Sequence, residues 1–274
     1  MKILEVSNLS VETGDGAKVV SEVSFSVAPG ERLGLIGESG SGKSMTALAV
    51  MGLLPAELRA SGSLLLGNGK DAPKQILGAN EKELNQIRGT VASIVFQEPL
   101  TALDPLMKIG RQLSEPLRRW QGLSGDQLNR AIISALSEVA ISKPERIADS
   151  YPYEISGGER QRAAIAMALA CEPSLLIADE PTTALDVTVQ AEILMLLDAV
   201  VAKRGMSLLF ISHDLAVVSK ITDHVLVMKD GAVVESGSLV DVLRSPQHPY
   251  TRDLVASARE LDEALNIAKK GAGN

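Results

Sequence analysis

Apolar and polar side chains alternate near both ends of the chain, and this pattern predicts two groups of β-strands. The first group runs through residues 1–36, where the apolar run Arg32–Ile36 is typical of a buried strand. In the second group, apolar runs at Ser174–Ala178 and Ser207–Ile211 flank a helical pattern over Val187–Arg204. Strands that alternate with helices predict a mostly parallel sheet covered on both faces.

The same patterns predict the remaining elements. Residues 100–155 carry amphipathic helical patterns, which indicate an inserted helical lobe. Asp186 and Gly205 are candidate caps for the helix between them, and the chain is expected to fray from about residue 255. Further strands are predicted at Ser61–Gly67 and Thr90–Phe96, a hairpin at Val225–Met228 and Ala232–Glu235, and helices at Ser44–Leu54, Gln127–Val139, Ala163–Ala170 and Leu215–Ile221.

Composition limits the classes of function. The chain has 274 residues, of which 45% are hydrophobic, enough for one sizeable core. A formal net charge of −7 and an aromatic content of 3% argue against a protein that coats nucleic acid, which needs a basic surface and stacking side chains. The single cysteine, Cys171, cannot form an internal disulfide, which favours a reducing compartment.

The sequence predicts neither a membrane span nor a secretory signal. Its most apolar stretch, Ala163–Ala178, is interrupted by Glu172 and Pro173, whereas a span needs roughly 20 predominantly apolar residues. The N-terminal residues lack the apolar core of a signal peptide. We therefore expect a cytoplasmic protein that can dock onto a membrane protein.

Residues 37–44 (Gly-Glu-Ser-Gly-Ser-Gly-Lys-Ser) fit the pattern G-x-x-x-x-G-K-[ST] between a predicted strand and a predicted helix. In this phosphate loop, glycines let successive amides point at phosphate oxygens, and the following helix adds its positive dipole end. Lys43 can bridge the β- and γ-phosphates, and the Ser44 hydroxyl can bind Mg²⁺. A chance glycine-rich turn is the alternative, but the pattern arises by accident only on the order of 1% of the time. The loop therefore predicts nucleotide binding.

Polar residues follow three of the other predicted strands. Asp179 and Glu180 come after an apolar strand, at the end where ligands bind in open α/β sheets. Asp179 can hold Mg²⁺, and Glu180 can polarise a water that attacks the γ-phosphate. His213 follows a strand expected to lie beside that of Glu180, which favours a γ-phosphate contact, although a lone histidine is usually structural. Gln97 ends another strand and could sense Mg²⁺ or the attacking water.

A second anion site is predicted where small residues begin a helix at Ser156, Gly157, Gly158 and Glu159. This segment could be an ordinary helix cap. A single nucleotide site needs only one such helix start, however. The simplest interpretation is that the second one contacts the γ-phosphate of a nucleotide held by another subunit.

Together these motifs resemble the nucleotide-binding subunit of an ABC transporter, over nearly the whole chain. The family's order is kept: phosphate loop, Gln97, the signature at residues 156–161, Asp179-Glu180, Asp186 and His213. The resemblance implies an α/β fold, a P-loop NTPase (RecA-like) core with a mostly parallel sheet, an N-terminal antiparallel β subdomain and an inserted α-helical lobe. It also implies a head-to-tail dimer with ATP between one phosphate loop and the partner's signature, and Asp186 at the dimer contact.

The resemblance and the motifs give a set of candidate site residues. The expected cofactors are ATP and Mg²⁺. Candidates are Glu180, His213 and Gln97 for catalysis, Ser44, Gln97 and Asp179 for the metal, and Gly37, Ser39, Gly40, Ser41, Gly42, Lys43, Ser44, Met45, Ser156, Gly157, Gly158, Glu159 and Asp186 for the nucleotide.

The segments 96–105, 151–154 and 245–251 are similar to those of the peptide and nickel importer subgroup. This resemblance implies an ATPase that powers import of peptides, nickel or another small solute. Its implied partners are membrane-spanning permease subunits, a second ATPase of the same or a related chain and, indirectly, a solute-binding protein, on the inner face of the cell membrane. The implied organisation is a single domain, with residues 1–99 and 156–240 as the core, 100–155 as the lobe and 241–274 as the tail.

The sequence departs from the family pattern at three points. Thr13 stands where the family usually has an aromatic residue that stacks on adenine, so the base contact is weaker or comes from elsewhere. No cysteine follows Cys171, so no iron–sulfur cluster is expected in the tail. Glu159 replaces the glutamine of the commonest signature, a change frequent in this subgroup.

Three other functions fit the sequence less well. A soluble ABC-type ATPase that acts on a macromolecule typically has two cassettes or a long coiled coil, which the sequence lacks. A GTPase would need an N-K-x-D motif to read guanine, which is absent, and would have no use for the signature. A binding module without catalysis would be expected to have lost Glu180, His213 or the signature, all of which are present.

Overall fold

The computed structural model describes residues 2–183 and 185–259, which form two β-sheets and a set of surrounding helices. The strands are β1 (Leu4–Glu12), β2 (Lys18–Val27), β3 (Arg32–Ile36), β4 (Arg59–Leu66), β5 (Lys74–Gln75), β6 (Ala92–Val95), β7 (Leu175–Asp179), β8 (Ser207–Ser212), β9 (His224–Lys229) and β10 (Ala232–Ser238).

The helices lie mainly after the first six strands. They are α1 (Lys43–Val50), α2 (Glu81–Leu84), α3 (Pro99–Ala102), α4 (Ile109–Gln121), α5 (Gly125–Glu138), α6 (Pro144–Asp149), α7 (Gly157–Leu169), α8 (Val187–Arg204), α9 (Leu215–Val218) and α10 (Leu239–Arg244). A short 3₁₀ helix covers Pro152–Glu154, and residues 249–259 are also helical. No helix in the described ranges is long and apolar enough to cross a membrane.

The larger sheet has six strands in the order β10-β9-β3-β8-β7-β6. Strands β9, β3, β8, β7 and β6 pair in parallel, and only β10 is antiparallel. The second sheet is antiparallel, in the order β2-β1-β4-β5. These findings confirm the mostly parallel core and the antiparallel N-terminal β subdomain.

The central strands are buried on both faces, as their continuous apolar sequences predict. In β8 all six residues are buried. Leu208 and Phe210 face a core shared with α8 and the helical lobe, whereas Leu209 and Ile211 face a core shared with α1 and the antiparallel sheet. Because side chains alternate along a strand, one short segment contributes to both cores.

The helical lobe is inserted between β6 and β7, where α4, α5 and α6 pack against one another and against α7. An ion pair joins this lobe to the core, since Glu138 of α5 accepts hydrogen bonds from the Arg204 guanidinium at the end of α8. The lobe and the core are thus packed on one apolar cluster and also joined by charge.

Local capping signals agree well with the structure. The Asp186 carboxylate accepts hydrogen bonds of 3.0 Å from the amides of Thr188 and Val189, and Gly205 ends α8 in the left-handed conformation. The hairpin turn between β9 and β10 consists of Asp230 and Gly231, both with positive φ. These predicted caps and this predicted turn are confirmed.

Several predicted element bounds were wrong. The helix predicted at Leu215–Ile221 ends at Val218, and the helix predicted from Ala163 begins at Gly157. Helix α1 ends at Val50 rather than Leu54, because the chain turns at Gly52, where φ is +62° and an added Cβ would lie 2.9 Å from the Leu84 side chain. Fraying from about residue 255 is also incorrect for residues 255–259, which are helical with Val255 buried. The rest of that prediction, residues 260–274, lies outside the described residues.

Gly34 in the middle of β3 provides a test of this packing. A Cβ at Gly34 would lie 2.4 Å from Cγ1 of Val218 in α9, so Gly34→Ala should overpack the core and lower the free energy of unfolding by about 1–3 kcal/mol. Urea denaturation measures the change. Gly237→Ala in β10 is the matched control, because its Cβ would meet only Cγ2 of Val242 at 3.6 Å. Equal stability of the two variants would contradict the packing described for β3.

Candidate nucleotide-binding site

The predicted chemical groups converge because of strand order. Strands β3, β8, β7 and β6 are successive parallel neighbours, so their carboxyl ends lie along one edge of the sheet. The residues after these ends surround a cavity of about 720 Å³. It is lined by Val19, Glu38, Ser39, Gly40, Gly42, Lys43, Ser44, Met45, Gln97, Glu180, Thr183, His213 and Leu254.

The phosphate loop is a turn that only glycine accommodates at two points. A Cβ at Gly37 would lie 2.2 Å from the Met228 carbonyl oxygen. Gly42 has a φ of +95°, and a Cβ there would lie 2.8 Å from the Val19 carbonyl oxygen. The loop is therefore packed against both the antiparallel sheet and strand β9, which fixes its path around the cavity.

The Lys43 ammonium is buried inside this loop, with the residue only 4% exposed. It donates hydrogen bonds of 2.7 Å to the carbonyl oxygens of Gly37 and Glu38. Desolvation lowers the pKa of Lys43, and the nearby carboxylates of Glu180 and Asp179 partly oppose this shift. Because burial disfavours the charged form of Lys43, its ammonium favours an anionic ligand such as a phosphate.

Ser44 and Asp179 lie side by side at the cavity. The Ser44 hydroxyl donates a hydrogen bond of 3.1 Å to Oδ1 of Asp179. Burial raises the pKa of Asp179, and the Ser44 hydrogen bond opposes that shift. A hydroxyl and a carboxylate oxygen this close fit the oxygen ligands that Mg²⁺ prefers.

The described residues contain no group of three or more His, Cys, Asp or Glu side chains that could hold a metal ion. Ser44 and Asp179 would therefore need further oxygen ligands from phosphate and water. This is the usual way in which Mg²⁺ binds together with a nucleotide. The residues fit a Mg²⁺–nucleotide complex better than a metal bound by the protein alone.

Three side chains converge on one carboxylate oxygen of Glu180. Its Oε2 accepts a hydrogen bond of 2.9 Å from the Thr183 hydroxyl and lies 3.1 Å from Nδ1 of His213 and 3.5 Å from Nε2 of Gln97. Glu180 also has a φ of +46°, uncommon for a residue with a side chain. The carboxylate is thus held in one orientation, with its other oxygen outside these contacts.

Thr183 was not among the residues singled out from the sequence. Its position three residues after Glu180 is the only signal that the sequence contains, and a threonine there is unremarkable. The structure also places Val19 and Leu254 in the cavity lining, whereas Thr13 lies in a turn where it bonds Asp15 and Ala17. Of the apolar residues in the lining, Met45 was predicted from the sequence, whereas Val19 and Leu254 were not.

The signature segment does not line this cavity. Ser156 begins α7 as a capping box: its hydroxyl accepts from the Glu159 amide, and the Glu159 carboxylate accepts from the Ser156 amide. Within residues 2–183 and 185–259, the amides of Gly157 and Gly158 donate no hydrogen bond. Asp186 is likewise outside the cavity lining, as the cap of α8.

A parallel sheet with a glycine-rich phosphate loop after β3 and acidic residues after β7, on the far side of β8, defines a nucleoside triphosphatase of the P-loop class. The family model described as "ABC transporter" matches residues 20–183. The chain belongs to the ABC transporter family, as an ATP-binding and ATP-hydrolysing cassette.

The chain is similar to curated relatives over most of its length. This chain is 44% identical over 266 residues to the dipeptide transport ATP-binding protein DppD of Bacillus subtilis. The match covers 95% of this chain and 78% of that protein. The chain is 48% identical over 260 residues to the peptidoglycan transport ATP-binding protein YejF of Agrobacterium fabrum, covering 93% of this chain and 47% of that protein.

A solved structure shows the same fold. A dimeric ATP-binding cassette in a post-hydrolysis state, bound to ADP and phosphate, superposes with a TM-score of 0.74 at 27% identity. The match covers 86% of this chain and 98% of that one. The similarity therefore extends over nearly the whole of that cassette.

The raised pKa of Asp179 predicts that the free energy of unfolding depends on pH. Because its pKa is raised on folding, the stability it contributes is present below the unfolded pKa and is lost as the pH rises through the folded pKa. Asp179→Asn stays neutral, so it should gain stability relative to the wild type between about pH 4 and pH 8. Denaturation without nucleotide measures this.

The exposed Asp223, which has no side-chain hydrogen bond in the described ranges, provides the control variant Asp223→Asn. Its stability difference from the wild type should change little over the same pH range. A constant difference for Asp179→Asn as well would show that burial of Asp179 has no energetic cost.

Proposed function

We propose that the chain hydrolyses ATP with Mg²⁺ to drive uptake of peptides through separate membrane-spanning subunits. The observation that carries the catalytic part is the convergence of Thr183, His213 and Gln97 on the Glu180 carboxylate at the rim of the phosphate-loop cavity. The names of the relatives, which include dipeptide transport, support the substrate class.

In this proposal the phosphate loop binds the triphosphate. Lys43 exchanges its hydrogen bonds with the loop carbonyls for bonds to the β- and γ-phosphates, which returns a counter-charge to its desolvated ammonium. The Ser44 hydroxyl and the Asp179 carboxylate hold the cation. Bound Mg²⁺ supplies charge neutralisation on the phosphate oxygens during transfer.

Glu180 acts as the general base. Its carboxylate accepts a proton from a water molecule that attacks the γ-phosphate. Thr183 and His213 orient this carboxylate through the same oxygen, and His213 also contacts the γ-phosphate. Gln97 bridges Glu180 and the metal side of the site, where its neutral amide orients the water without adding charge.

The working unit is a dimer in which each nucleotide lies between two chains. The signature amides of Gly157 and Gly158 are far enough from the cavity in one chain that they do not line it, and they remain available to an anion. They bind the γ-phosphate held by the partner, with Ser156 and Glu159 holding the helix start in place and Asp186 at the contact between chains. A solved relative in the family is dimeric, which supports this arrangement.

The helical lobe, residues 100–155, carries the surface for the permease subunits, between core segments 1–99 and 156–240. Exposed apolar side chains at Leu100, Leu106 and Tyr153 support this placement. Closure of the dimer on ATP would move the two lobes together, and hydrolysis would release them. The cassette then lies at the inner face of the cell membrane, and a solute-binding protein delivers the peptide.

The alternative function is that of a soluble ABC-type ATPase that acts on a macromolecule. For an importer, the alternative transported substrate is nickel or another small solute. Both share the ATPase site, so they differ from the main proposal only in partners and cargo.

The role of Glu180 is tested by Glu180→Gln. The amide keeps the shape of the side chain but is not a base, so ATP binding should persist while hydrolysis falls at least about a hundredfold. Nucleotide affinity by titration calorimetry and phosphate release measure the two quantities separately.

Lys43→Ala is the contrasting variant, since removing the ammonium should weaken ATP binding itself. Wild-type turnover by Glu180→Gln would rule out the assigned base. Unchanged affinity in Lys43→Ala would rule out the phosphate-loop assignment.

The transport role is tested by purifying tagged Glu180→Gln protein from its native membranes in mild detergent with Mg·ATP. We expect two polytopic membrane proteins to co-purify, identified by mass spectrometry, because the ATP-bound dimer should hold its partners. A second ATPase in the sample would show a heterodimer. Recovery of soluble partners alone would contradict the importer and favour the macromolecular ATPase.

A further inference from the structure

The C-terminal end of the described chain returns to the phosphate loop. The helix at residues 249–259 begins beside the loop, and its Tyr250 is 93% buried, with 7% exposed. The Tyr250 hydroxyl accepts a hydrogen bond of 2.9 Å from the amide of Glu38, the second residue of the loop. One helical turn later, Leu254 lines the nucleotide cavity.

Tyr250 is held in a fixed frame. The Lys229 ammonium lies 5.0 Å from the centre of the Tyr250 ring, a cation–π contact with strand β9. The Glu235 carboxylate in β10 accepts hydrogen bonds of 2.8 Å from the amides of Gln247 and His248, just before the helix. The β9–β10 hairpin therefore fixes the segment that carries Tyr250.

The two contacts have different chemistry. The hydroxyl of Tyr250 accepts the hydrogen bond of the Glu38 amide at the start of the phosphate loop. This contact restrains the first turn of the loop. Burial raises the pKa of Tyr250, so its hydroxyl stays neutral at ordinary pH. The Leu254 side chain is apolar and cannot stabilise a phosphate, so its favourable contact is with the base or sugar of a nucleotide.

We propose that this tail helix completes the nucleotide site within one chain, with Tyr250 as a positioning residue for the phosphate loop and Leu254 as a contact for the base or sugar. This rests on the proposed binding of ATP in the cavity. It also supplies an apolar contact in a chain where Thr13 offers no aromatic ring and lies outside the cavity lining.

Tyr250→Phe tests the positioning role because it keeps the ring, its burial and its cation–π contact and removes one hydrogen bond. The affinity for Mg·ATP should fall about three- to tenfold, and the affinity for magnesium tripolyphosphate should fall by a similar factor. Because the reacting groups are unchanged, the KM for ATP should rise more than kcat falls. Calorimetry and steady-state kinetics give these values.

Leu254→Ala tests the apolar contact. Its affinity for Mg·ATP should fall about three- to tenfold, whereas its affinity for magnesium tripolyphosphate, which has no base or sugar, should stay at the wild-type value. This split separates a base or sugar contact from a general disturbance of the loop, which would weaken both ligands.

Tyr151→Phe is the matched control, since Tyr151 also has a cation–π contact, with Lys108, and lies outside the cavity lining. A Tyr250→Phe protein that melts at a lower temperature but binds both ligands like the wild type would overturn the positioning role. Equal loss of both ligands in Leu254→Ala, or no loss, would overturn the base or sugar contact. Failure of the wild type to bind Mg·ATP would instead overturn the proposed function.

Discussion

Two buried charges at one edge of the parallel sheet set the requirements of this site. Desolvation acts against the ammonium of Lys43 and against the carboxylate of Asp179, lowering one pKa and raising the other. A triphosphate would supply a negative counter-charge beside the Lys43 ammonium. A divalent cation would supply a positive counter-charge beside the Asp179 carboxylate. Binding both together relieves both costs, which is a physical reason for the site to take Mg²⁺ and nucleotide as one complex.

The rest of the fold keeps these charges in position. Three parts of the described chain meet the phosphate loop. The antiparallel sheet presents the Val19 carbonyl to Gly42, strand β9 presents Met228 to Gly37, and the C-terminal helix presents Tyr250 to Glu38. The glycines are required because other residues would clash with these neighbours. The loop thus has little freedom to change its path.

The signature segment, residues 156–161, lies outside the nucleotide cavity of its own chain. Its capping box satisfies the amides of Ser156 and Glu159, so the start of α7 is held in place without a ligand. What remains available are amides that the cavity of the same chain does not use. In the proposed dimer, these amides would bind the nucleotide held by the partner chain, while the cavity of the same chain binds its own nucleotide.

Much of this protein follows from its sequence alone. The short apolar runs, Asp186, Gly205 and the Asp230-Gly231 turn determine local structure because each acts through its immediate neighbours. The phosphate loop and the acidic pair are equally local, so the sequence predicts the class of chemistry as well. Their meeting at one edge could be expected from parallel strands, whose carboxyl ends share an edge.

Only the tertiary structure decided which side chains meet across long sequence separations. The end of α1 at Val50 depends on Leu84, the orientation of Glu180 depends on Thr183 and His213 together, and the phosphate loop meets a tyrosine more than 200 residues away. Tyr250 and Leu254 carry no local signal of such a role, since a tyrosine and a leucine in a helix usually only pack. Contacts of this kind depend on how the chain returns on itself, which local patterns of hydrophobic and polar residues do not contain.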